Sequence, residues 1–336
     1  MNKERFEEIL LDPKFNSQNV VDVYPFDSNV AFLPELAAFF GENFTQMIGY
    51  DQVAPHHDRS LWMHTMGVID SIPKPGTKPY FLSDSEYKML KVVGYLHDIG
   101  KPAKMTQNIY ENVTPISPEH PSFKYQHQKQ DGSYYVETHS FKRHAEESRI
   151  ISATYLNKLG YSEAETARIL FLIAHHDDFM RIRDVNSESI EKMAYITNSM
   201  FEDANRQGYR IEDRDLQLLI VIGKSDSRGQ GNTIYEFDKK SNTFPPTPSD
   251  SLQRKLDTYA DIESHFCNIQ YAYLKIIGKR LQEEYFNLSP EKKQDVNLLK
   301  NYRDKIKTIR EQMLTVYPQL TNSQPLPSFP SEVDFS

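Results

Sequence analysis

Two segments of the chain show apolar residues at helical spacing behind a clear start signal. Ser83 and Glu86 have the spacing of a capping box, and apolar residues then follow at intervals of three and four up to Gly100. Ser162 and Glu165 repeat this signature, and the apolar run after them also ends in histidines. The pattern therefore predicts two amphipathic helices whose C-terminal ends carry histidines.

A third helix is predicted over about residues 141 to 159. Its pattern turns Ile150, Ile151, Leu156 and Leu159 inward, and Gly160 follows as a stop signal. His144 falls in the first turn, so this helix is expected to begin close to a histidine.

Two more helices bring polar residues into the apolar pattern. Apolar positions from 61 to 72 predict a helix that ends before Pro73 and carries His64. Apolar positions from 216 to 222 predict a helix that runs on into Asp226. Histidines and aspartates are therefore expected at the ends or inner faces of several helices.

The remaining segments either break the helical pattern or repeat it near the C-terminus. The region from about 105 to 138 contains prolines and an Asp131-Gly132 pair flanked by tyrosines, which predicts a β-hairpin. Residues from about 229 to 250 are rich in Gly, Asn, Pro and Ser, and further helices are predicted over about 251–287 and 291–316. We therefore expect an all-α fold in five parts. These are an N-terminal helical lead-in (1–50), a central domain (51–231) with the insertion at about 105–138, a linker (232–250), a helical C-terminal extension (251–317) and a disordered tail (318–336).

Length, charge and cysteine content narrow the class of protein. With 336 residues and 38% hydrophobic content, the chain can bury a substantial core. A formal net charge of −8 disfavours non-specific binding to a long polyanion and favours small anionic substrates. The single cysteine, Cys267, excludes an internal disulfide framework and a Cys-based zinc site. Because no apolar run is long enough for a signal peptide or a membrane span, we expect a cytoplasmic protein with no membrane partner.

Histidine is concentrated in one part of the chain. Ten of the 11 histidines lie between His56 and His176, together with aspartates at predicted helix ends. Imidazole nitrogens and carboxylate oxygens without thiolates form a ligand set for Zn, Mn, Fe, Co, Ni or weakly held Mg. The set predicts one or two divalent metal ions per chain and leaves the identity of the metal open.

The pair His97-Asp98 is the most informative dipeptide, because it offers a nitrogen and a carboxylate from consecutive residues. Lys101 lies three residues after Asp98, on the same helical face and within reach of a phosphate. With His64 upstream and Asp226 downstream, the dipeptide becomes part of a specific pattern.

This pattern resembles the HD superfamily of metal-dependent phosphohydrolases. The matching words, in order along the chain, are FLPELAAFFG, HHDRSLWMHT, YLHDIGKPAK, RHAEESRIISATYLNKLGYS, LIAHHDDF and GKSDSRGQ. More specifically, residues from about 3 to 231 resemble the C-terminal HD region of bacterial tRNA nucleotidyltransferases, the CCA-adding enzymes. The resemblance implies an HD-domain helical bundle over 51–231, without the nucleotide-adding head domain of those enzymes.

The resemblance also implies roles for individual residues. The implied metal ligands are His64, His97, Asp98 and Asp226, with additional family histidines at His144, His175 and His176. Which member of the pair His175-His176 faces inward stays open. The implied catalytic residues are Asp98, Lys101 and His144, and the implied substrate contacts are Lys101, Arg143, His57 and Arg228. Substrate choice stays open because Ser148-Arg149 replaces the family's usual Gly-Ala and the loop between Lys104 and His144 is longer.

The function implied by the resemblance is hydrolysis of a phosphate ester. A bound metal would lower the pKa of a water molecule toward about 7 and polarise a phosphoryl oxygen, while Asp98 would bridge two metals or act as a base. The expected substrate is a small phosphorylated molecule, a nucleotide or an RNA end, as a monoester or a 2′,3′-cyclic diester. The alternative is a module that binds tRNA-like RNA around a structural or vestigial metal site. A di-iron oxygenase is a third class that the ligand types permit, and the oligomeric state stays open.

Overall fold

Helices make up most of the computed structural model, which describes residues 1–26, 32–52, 59–181, 187–231 and 235–316. The chain is 61% helical, with 12 helices and one three-stranded sheet in the described part. The helices are α1 Lys3–Leu11, α2 Phe32–Phe40, α3 Glu42–Thr45, α4 Leu61–Ser71, α5 Asp84–Leu96, α6 His144–Leu159, α7 Glu163–His175, α8 Ser187–Arg206, α9 Asp213–Gly229, α10 Ser251–Ser264, α11 Phe266–Phe286 and α12 Val296–Val316. The predicted all-α class with a small hairpin insertion is confirmed.

The start and stop signals act as the sequence predicts. The Ser83 hydroxyl accepts a hydrogen bond from the Glu86 backbone N–H at 3.2 Å, and the Glu86 carboxylate accepts one from the Ser83 N–H at 2.9 Å. Ser162 and Glu165 form the same reciprocal pair. Gly160 ends α6 with a φ of +90°, a left-handed conformation that favours glycine. The capping boxes fix where α5 and α7 begin, and Gly160 fixes where α6 ends; the histidines lie at the opposite ends of these three helices.

The chain folds into two compact units. The first comprises Met1–Met180 and Gln207–Asp257, and the second comprises Arg181–Arg206 and Thr258–Ser336. In the second unit α11 packs against both α8 and α12. Their shared core consists of Ala194, Tyr273, Leu274, Ile309 and Met313. The predicted boundaries at 50, 231 and 250 stay predictions, and the second unit includes a helix, α8, that the sequence pattern did not predict.

The first unit is built around α4, α5 and α9. Helix α4 packs against α9 and α5, while α7 contacts both α5 and α9. Aromatic rings fill the space on the other side of α5, where Tyr95 lies 5.2 Å from Phe40 and 5.3 Å from Phe6, measured between ring centroids. Trp62 is also fully buried and donates its indole N–H to the Val21 carbonyl. This packing holds α5 on two sides and leaves its C-terminal end pointing at α4 and α9.

Helices α4 and α9 approach each other most closely at two glycines. A Cβ atom added to Gly229 would lie 2.5 Å from Val68 Cγ2 and 2.9 Å from the His64 carbonyl oxygen. A Cβ atom added to Gly67 would lie 3.0 Å from the Gly229 Cα. Neither distance leaves room for a side chain, so the two backbones can touch only because both residues are glycine.

The insertion is a three-stranded antiparallel sheet rather than a lone hairpin. Its strands are β1 Thr106–Glu111, β2 Gln126–Gln128 and β3 Tyr134–Ser140, in the order β1-β3-β2. Thr106 lies opposite Ser140, and Gln128 lies opposite Tyr134. Gly132, with φ of +84°, provides the turn that the Asp131-Gly132 pair predicts. The predicted hairpin is present, and β1 adds a strand on its free edge.

The segment after residue 234 packs onto this sheet. Phe237 and Phe244 are buried with Val113 and Val136, and the Phe237 ring lies 4.8 Å from that of Tyr110. The Asn242 side-chain amide also donates to the carbonyls of residues 111 and 112 at 2.9 Å. The described part of the predicted linker, 235–250, therefore forms one small apolar core with the insertion.

One detail of the α6 prediction is wrong. Ile150 is 51% exposed instead of inward, although Leu156 and Leu159 are buried as predicted. The buried face of α6 runs through Ser148 and Ser152, both fully buried, because the helix lies close to Gly100. Small polar residues occupy the inner face there, and an apolar pattern alone selects the neighbouring isoleucine instead.

Two further expectations concern membranes and the C-terminal tail. None of the helices in the described ranges combines the length and apolarity needed to cross a bilayer. The predicted disordered tail, 318–336, lies outside the described residues.

Candidate metal centre

Four elements of the first unit each deliver a side chain to one point. His64 lies in the second turn of α4, and His97 and Asp98 follow directly after α5. Asp226 lies in the last turn of α9, one turn before Gly229. The close approach of α4 and α9 at their glycines brings the side chains of His64 and Asp226 together.

These four residues form a compact group of nitrogen and oxygen atoms. His64 Nε2 lies 3.1 Å from Asp98 Oδ2, 3.0 Å from Asp226 Oδ1 and 3.3 Å from His97 Nε2. His97 Nε2 lies 3.1 Å from Asp98 Oδ2 and 3.4 Å from Asp226 Oδ1. The two imidazoles and Asp98 are buried, whereas the Asp226 side chain is 21% exposed. We call this set the first ligand group; it offers two nitrogens and two carboxylate oxygens within 4.8 Å of one another.

Asp98 also takes part in a second ligand group, with His144 and His176. Its other oxygen, Oδ1, lies 3.2 Å from His144 Nε2 and 3.9 Å from His176 Nε2. The two imidazole Nε2 atoms are 3.4 Å apart. One oxygen of Asp98 therefore faces each group, which is the geometry of a carboxylate that bridges two cations.

Backbone carbonyl oxygens orient three of the four imidazoles. His97 Nδ1 lies 2.8 Å from the Gly94 carbonyl oxygen, His144 Nδ1 lies 2.8 Å from that of residue 141, and His176 Nδ1 lies 2.8 Å from that of residue 173. Because a carbonyl oxygen only accepts, each Nδ1 carries the proton and each Nε2 is left to face the site. Hydrogen bonds of this kind are typical of histidines that ligate metals.

The surroundings keep both aspartates ionised. Burial disfavours the charged form of Asp98, but His97 and Lys101 outweigh it and hold the pKa of that carboxyl well below its ordinary value. Burial also opposes ionisation of Asp226, and hydrogen bonds from His64 and His97 hold its pKa well below the ordinary value. Burial lowers the pKa of the His176 imidazole. Burial opposes protonation of His97, but Asp98 and Asp226 outweigh it and raise the pKa of that imidazole to about 10. The site therefore presents two carboxylates and the neutral imidazole of His176, and a cation bound in the first ligand group would displace a proton from His97.

The residues predicted to contact substrate differ in their burial. Lys101 is buried, with its Nζ 2.7 Å from Asp98 Oδ2 and 3.0 Å from Gln52 Oε1. Arg143 is exposed and adopts φ of +63° immediately before α6, a conformation uncommon for residues other than glycine. Arg228 is exposed on α9, and His57 lies outside the described residues.

The adjacent histidines His175 and His176 have different surroundings. His176 belongs to the second ligand group, whereas His175 lies outside both groups and places its Nδ1 2.6 Å from Asp178 Oδ2. The structure therefore brings together six of the seven predicted ligands and leaves His175 apart. Their roles as ligands stay predictions.

Sequence reasoning missed a second ammonium group beside the site. Lys255, on α10, donates a hydrogen bond to Gln230 Oε1, and Asp226 and Lys101 both act on it electrostatically. Gln230 follows Asp226 by one helical turn, so helical spacing is a signal for it. Lys255 lies beyond the predicted linker, and no local signal connects it to the histidines.

No protein-family model, curated protein or solved structure matches the chain. The family resemblance therefore stays a prediction, and the function has to be inferred from the geometry of the two ligand groups.

Proposed function

We propose that this protein is a metal-dependent phosphohydrolase of the HD type that acts on phosphate esters of nucleotides or RNA ends. The proposal covers monoesters and 2′,3′-cyclic diesters. It rests on two ligand groups that share Asp98, with imidazole and carboxylate donors suited to Mn, Fe, Co, Ni or Zn. An ammonium group next to the shared carboxylate adds the positive charge that a phosphate requires.

One observation carries the proposal. The Nε2 atoms of His144 and His176 face each other at 3.4 Å while both Nδ1 atoms donate to backbone carbonyls. With both Nδ1 atoms donating, the two Nε2 lone pairs point at each other, which is unfavourable in a buried site unless a cation, either a proton or a metal ion, lies between them. A divalent metal ion fits this donor set, with Asp98 as its carboxylate ligand.

Metal and side chains would divide the chemistry between them. When bound, the metal supplies Lewis-acid activation of water and of a phosphoryl oxygen. Lys101 holds a positive charge 2.7 Å from Asp98 Oδ2, where it would stabilise negative charge that builds up on the phosphate. His144 is 15% exposed, in contrast to the fully buried His64 and His97. It is therefore the imidazole of the site that a substrate phosphate can approach most closely.

The test is a hydrolysis assay on a panel of substrates, each with Mn, Ni, Co or Mg. The panel contains an aryl phosphate, 2′- and 3′-nucleotides, 2′,3′-cyclic nucleotides and dNTPs. We expect metal-dependent turnover that Asp98→Ala and His176→Ala abolish. His175→Ala is the matched control, because it removes the adjacent imidazole outside both groups and should leave turnover in place. No turnover of any member by folded, metal-loaded wild type would contradict the proposal and would favour the RNA-binding alternative.

A further inference from the structure

Lys255 holds a positive charge beside the ligand groups without a carboxylate bonded to it. Its Nζ donates to Gln230 Oε1, a neutral acceptor, and no carboxylate oxygen of the described residues lies within ion-pair distance. Burial lowers the pKa of the Lys255 ammonium; Asp226 opposes that shift and Lys101 adds to it. Because the Gln230 amide is neutral, it does not cancel the charge of the half-buried Lys255 ammonium, which can therefore still pair with an anion.

Gln230 adds a second donor at the same place. It is 1% exposed, and its Nε2 finds no hydrogen-bond partner among the described residues. Because Oε1 of the same amide accepts from Lys255, the free Nε2–H group lies next to the ammonium. Ser251, one helical turn before Lys255 on α10, also has a buried hydroxyl without a partner in the described ranges. Buried donors with spare capacity beside an ammonium are what an anion site needs.

The charge balance of the centre indicates which anion fits. One divalent ion would balance the charges of Asp98 and Asp226, and an ion in each ligand group would leave two positive charges in excess. The ammonium groups of Lys101 and Lys255 add two more in either case, so the excess of positive charge matches a dianion better than a monoanion. A phosphomonoester carries close to two negative charges at neutral pH, and a phosphodiester carries one.

We propose that Lys255 and Gln230 form a phosphate-binding subsite beside Asp226 that selects phosphomonoesters over phosphodiesters. The inference rests on the proposed phosphohydrolase function and goes further, because it names the substrate class. Lys255 contacts the phosphate oxygens directly through its ammonium group, and Gln230 both positions that group and donates to the same anion.

Binding of two simple anions tests the subsite without catalysis. Inorganic phosphate and dimethyl phosphate, a diester monoanion, are titrated calorimetrically into Mn-loaded protein. We expect Lys255→Gln to weaken phosphate binding about tenfold and to change dimethyl phosphate binding less than about twofold. Lys255→Arg, which keeps the charge, should retain most of the phosphate affinity. Arg254→Gln is the matched control, because Arg254 is the adjacent residue, exposed and paired with Asp250 and Glu236.

Three results would overturn the subsite. In the first, Lys255→Gln loses the same affinity for both anions. In the second, Lys255→Gln loses no affinity for phosphate. In the third, wild-type protein binds phosphate no more tightly than dimethyl phosphate. The last comparison needs no variant, so it holds even where Lys255→Gln fails to fold.

Kinetics separates the subsite from the proposed function. In Lys255→Gln, kcat/KM for a 3′-nucleotide should fall about tenfold more than kcat/KM for the 2′,3′-cyclic diester. Asp98-dependent turnover with an unchanged ratio would contradict the subsite and leave the hydrolase in place. Phosphate binding that depends on Lys255, in a protein that hydrolyses nothing on the panel, would contradict the hydrolase and leave the subsite in place.

Discussion

The contact between α4 and α9 predicts a substitution that damages the metal centre more than the fold. In Gly229→Ala the new methyl carbon would lie 2.5 Å from Val68 Cγ2 and 2.9 Å from the His64 carbonyl oxygen and the Val68 backbone nitrogen. A methyl carbon needs about 3.5 Å from its neighbours, so clearing the backbone atoms at 2.9 Å requires the helices to separate by roughly 0.6 Å, and clearing Val68 Cγ2 at 2.5 Å requires roughly 1 Å. Val68 is β-branched and the other two atoms belong to the backbone, so no long flexible side chain is present to absorb the change.

The cost in stability should be small because two effects oppose each other. Overpacking costs about 1–3 kcal/mol, whereas alanine is favoured over glycine in a helix by up to about 1 kcal/mol. We expect the free energy of unfolding of the metal-free protein to fall by about 1–2 kcal/mol in urea titrations.

The cost in metal affinity should be larger. His64 and Asp226 lie on the two helices that separate, and their Nε2 and Oδ1 atoms are 3.0 Å apart. Metal–ligand distances tolerate changes of about 0.2 Å, so the separation would take one ligand out of range. We expect the affinity for Mn or Co, measured by competition with a chelating indicator, to fall about 10- to 100-fold.

Gly94→Ala provides the control for this prediction. Gly94 is also helical and buried in the same scaffold, but a Cβ atom there would meet only side-chain atoms, the nearest being Ile72 Cδ1 at 3.3 Å. Its carbonyl, which orients His97, is unchanged. Metal affinity in Gly94→Ala should stay within about threefold of wild type. If Gly229→Ala binds metal as tightly as Gly94→Ala, the helix contact does not set the ligand geometry and the reasoning is refuted.

Three further predictions follow from other contacts. Glu86→Gln removes the charge from a pair in which Arg214 Nε and Nη2 lie 2.7 and 2.8 Å from the carboxylate oxygens, and should cost about 1.5–3 kcal/mol of unfolding free energy at pH 7. The hydrogen bond from Arg214 lowers the pKa of Glu86 to about 2, so this contribution to stability is present above about pH 4.5 and is lost toward pH 2. If the stability difference between wild type and Glu86→Gln stays constant between pH 7 and pH 3, the prediction is contradicted. Burial lowers the pKa of Lys91 from 10.5 to about 8, so the folded protein binds fewer protons than the unfolded chain between those values and stability rises with pH. That rise, at most about 3 kcal/mol, should be missing in Lys91→Met, and an equal rise in both proteins would argue against the buried ammonium. Metal at 100 times its Kd should raise the unfolding free energy of wild type by about 2.7 kcal/mol relative to EDTA-treated protein. In His176→Ala this increase should be smaller, and an unchanged increase would place His176 outside the metal site.

Local signals were sufficient for the part of the fold that carries the histidines. Two capping boxes set the starts of α5 and α7, the stop at Gly160 sets the end of α6, and each depends on residues within one turn of the boundary. The contact that joins α4 to α9 was not predictable, since nothing in the sequence near Gly67 or Gly229 shows that the two glycines meet. The family resemblance implied the candidate ligands, but only tertiary packing separates His176 from its neighbour.

The parts that sequence reasoning missed depend on contacts between distant segments. The proline- and serine-rich pattern of 235–250 predicts an irregular backbone, but it does not show that Phe237 and Phe244 form a core by packing on the sheet. Lys255 was missed for a related reason, because its place beside Asp226 depends on how the chain returns after that segment. The sequence around a single lysine on a helix does not show whether its ammonium group binds a ligand or is only solvated.

The hydrogen bonds that orient the imidazoles also complete the ends of the helices. Gly94 lies in the last turn of α5 and Ile173 in the last turn of α7, where backbone carbonyls lack partners within the helix. His97 and His176 donate their Nδ1–H groups to these carbonyls and direct Nε2 into the ligand groups. The same bond thus satisfies a helix end and fixes a tautomer. An imidazole placed in this way is held by the secondary structure itself, which would reduce the entropy lost if the proposed cation binds.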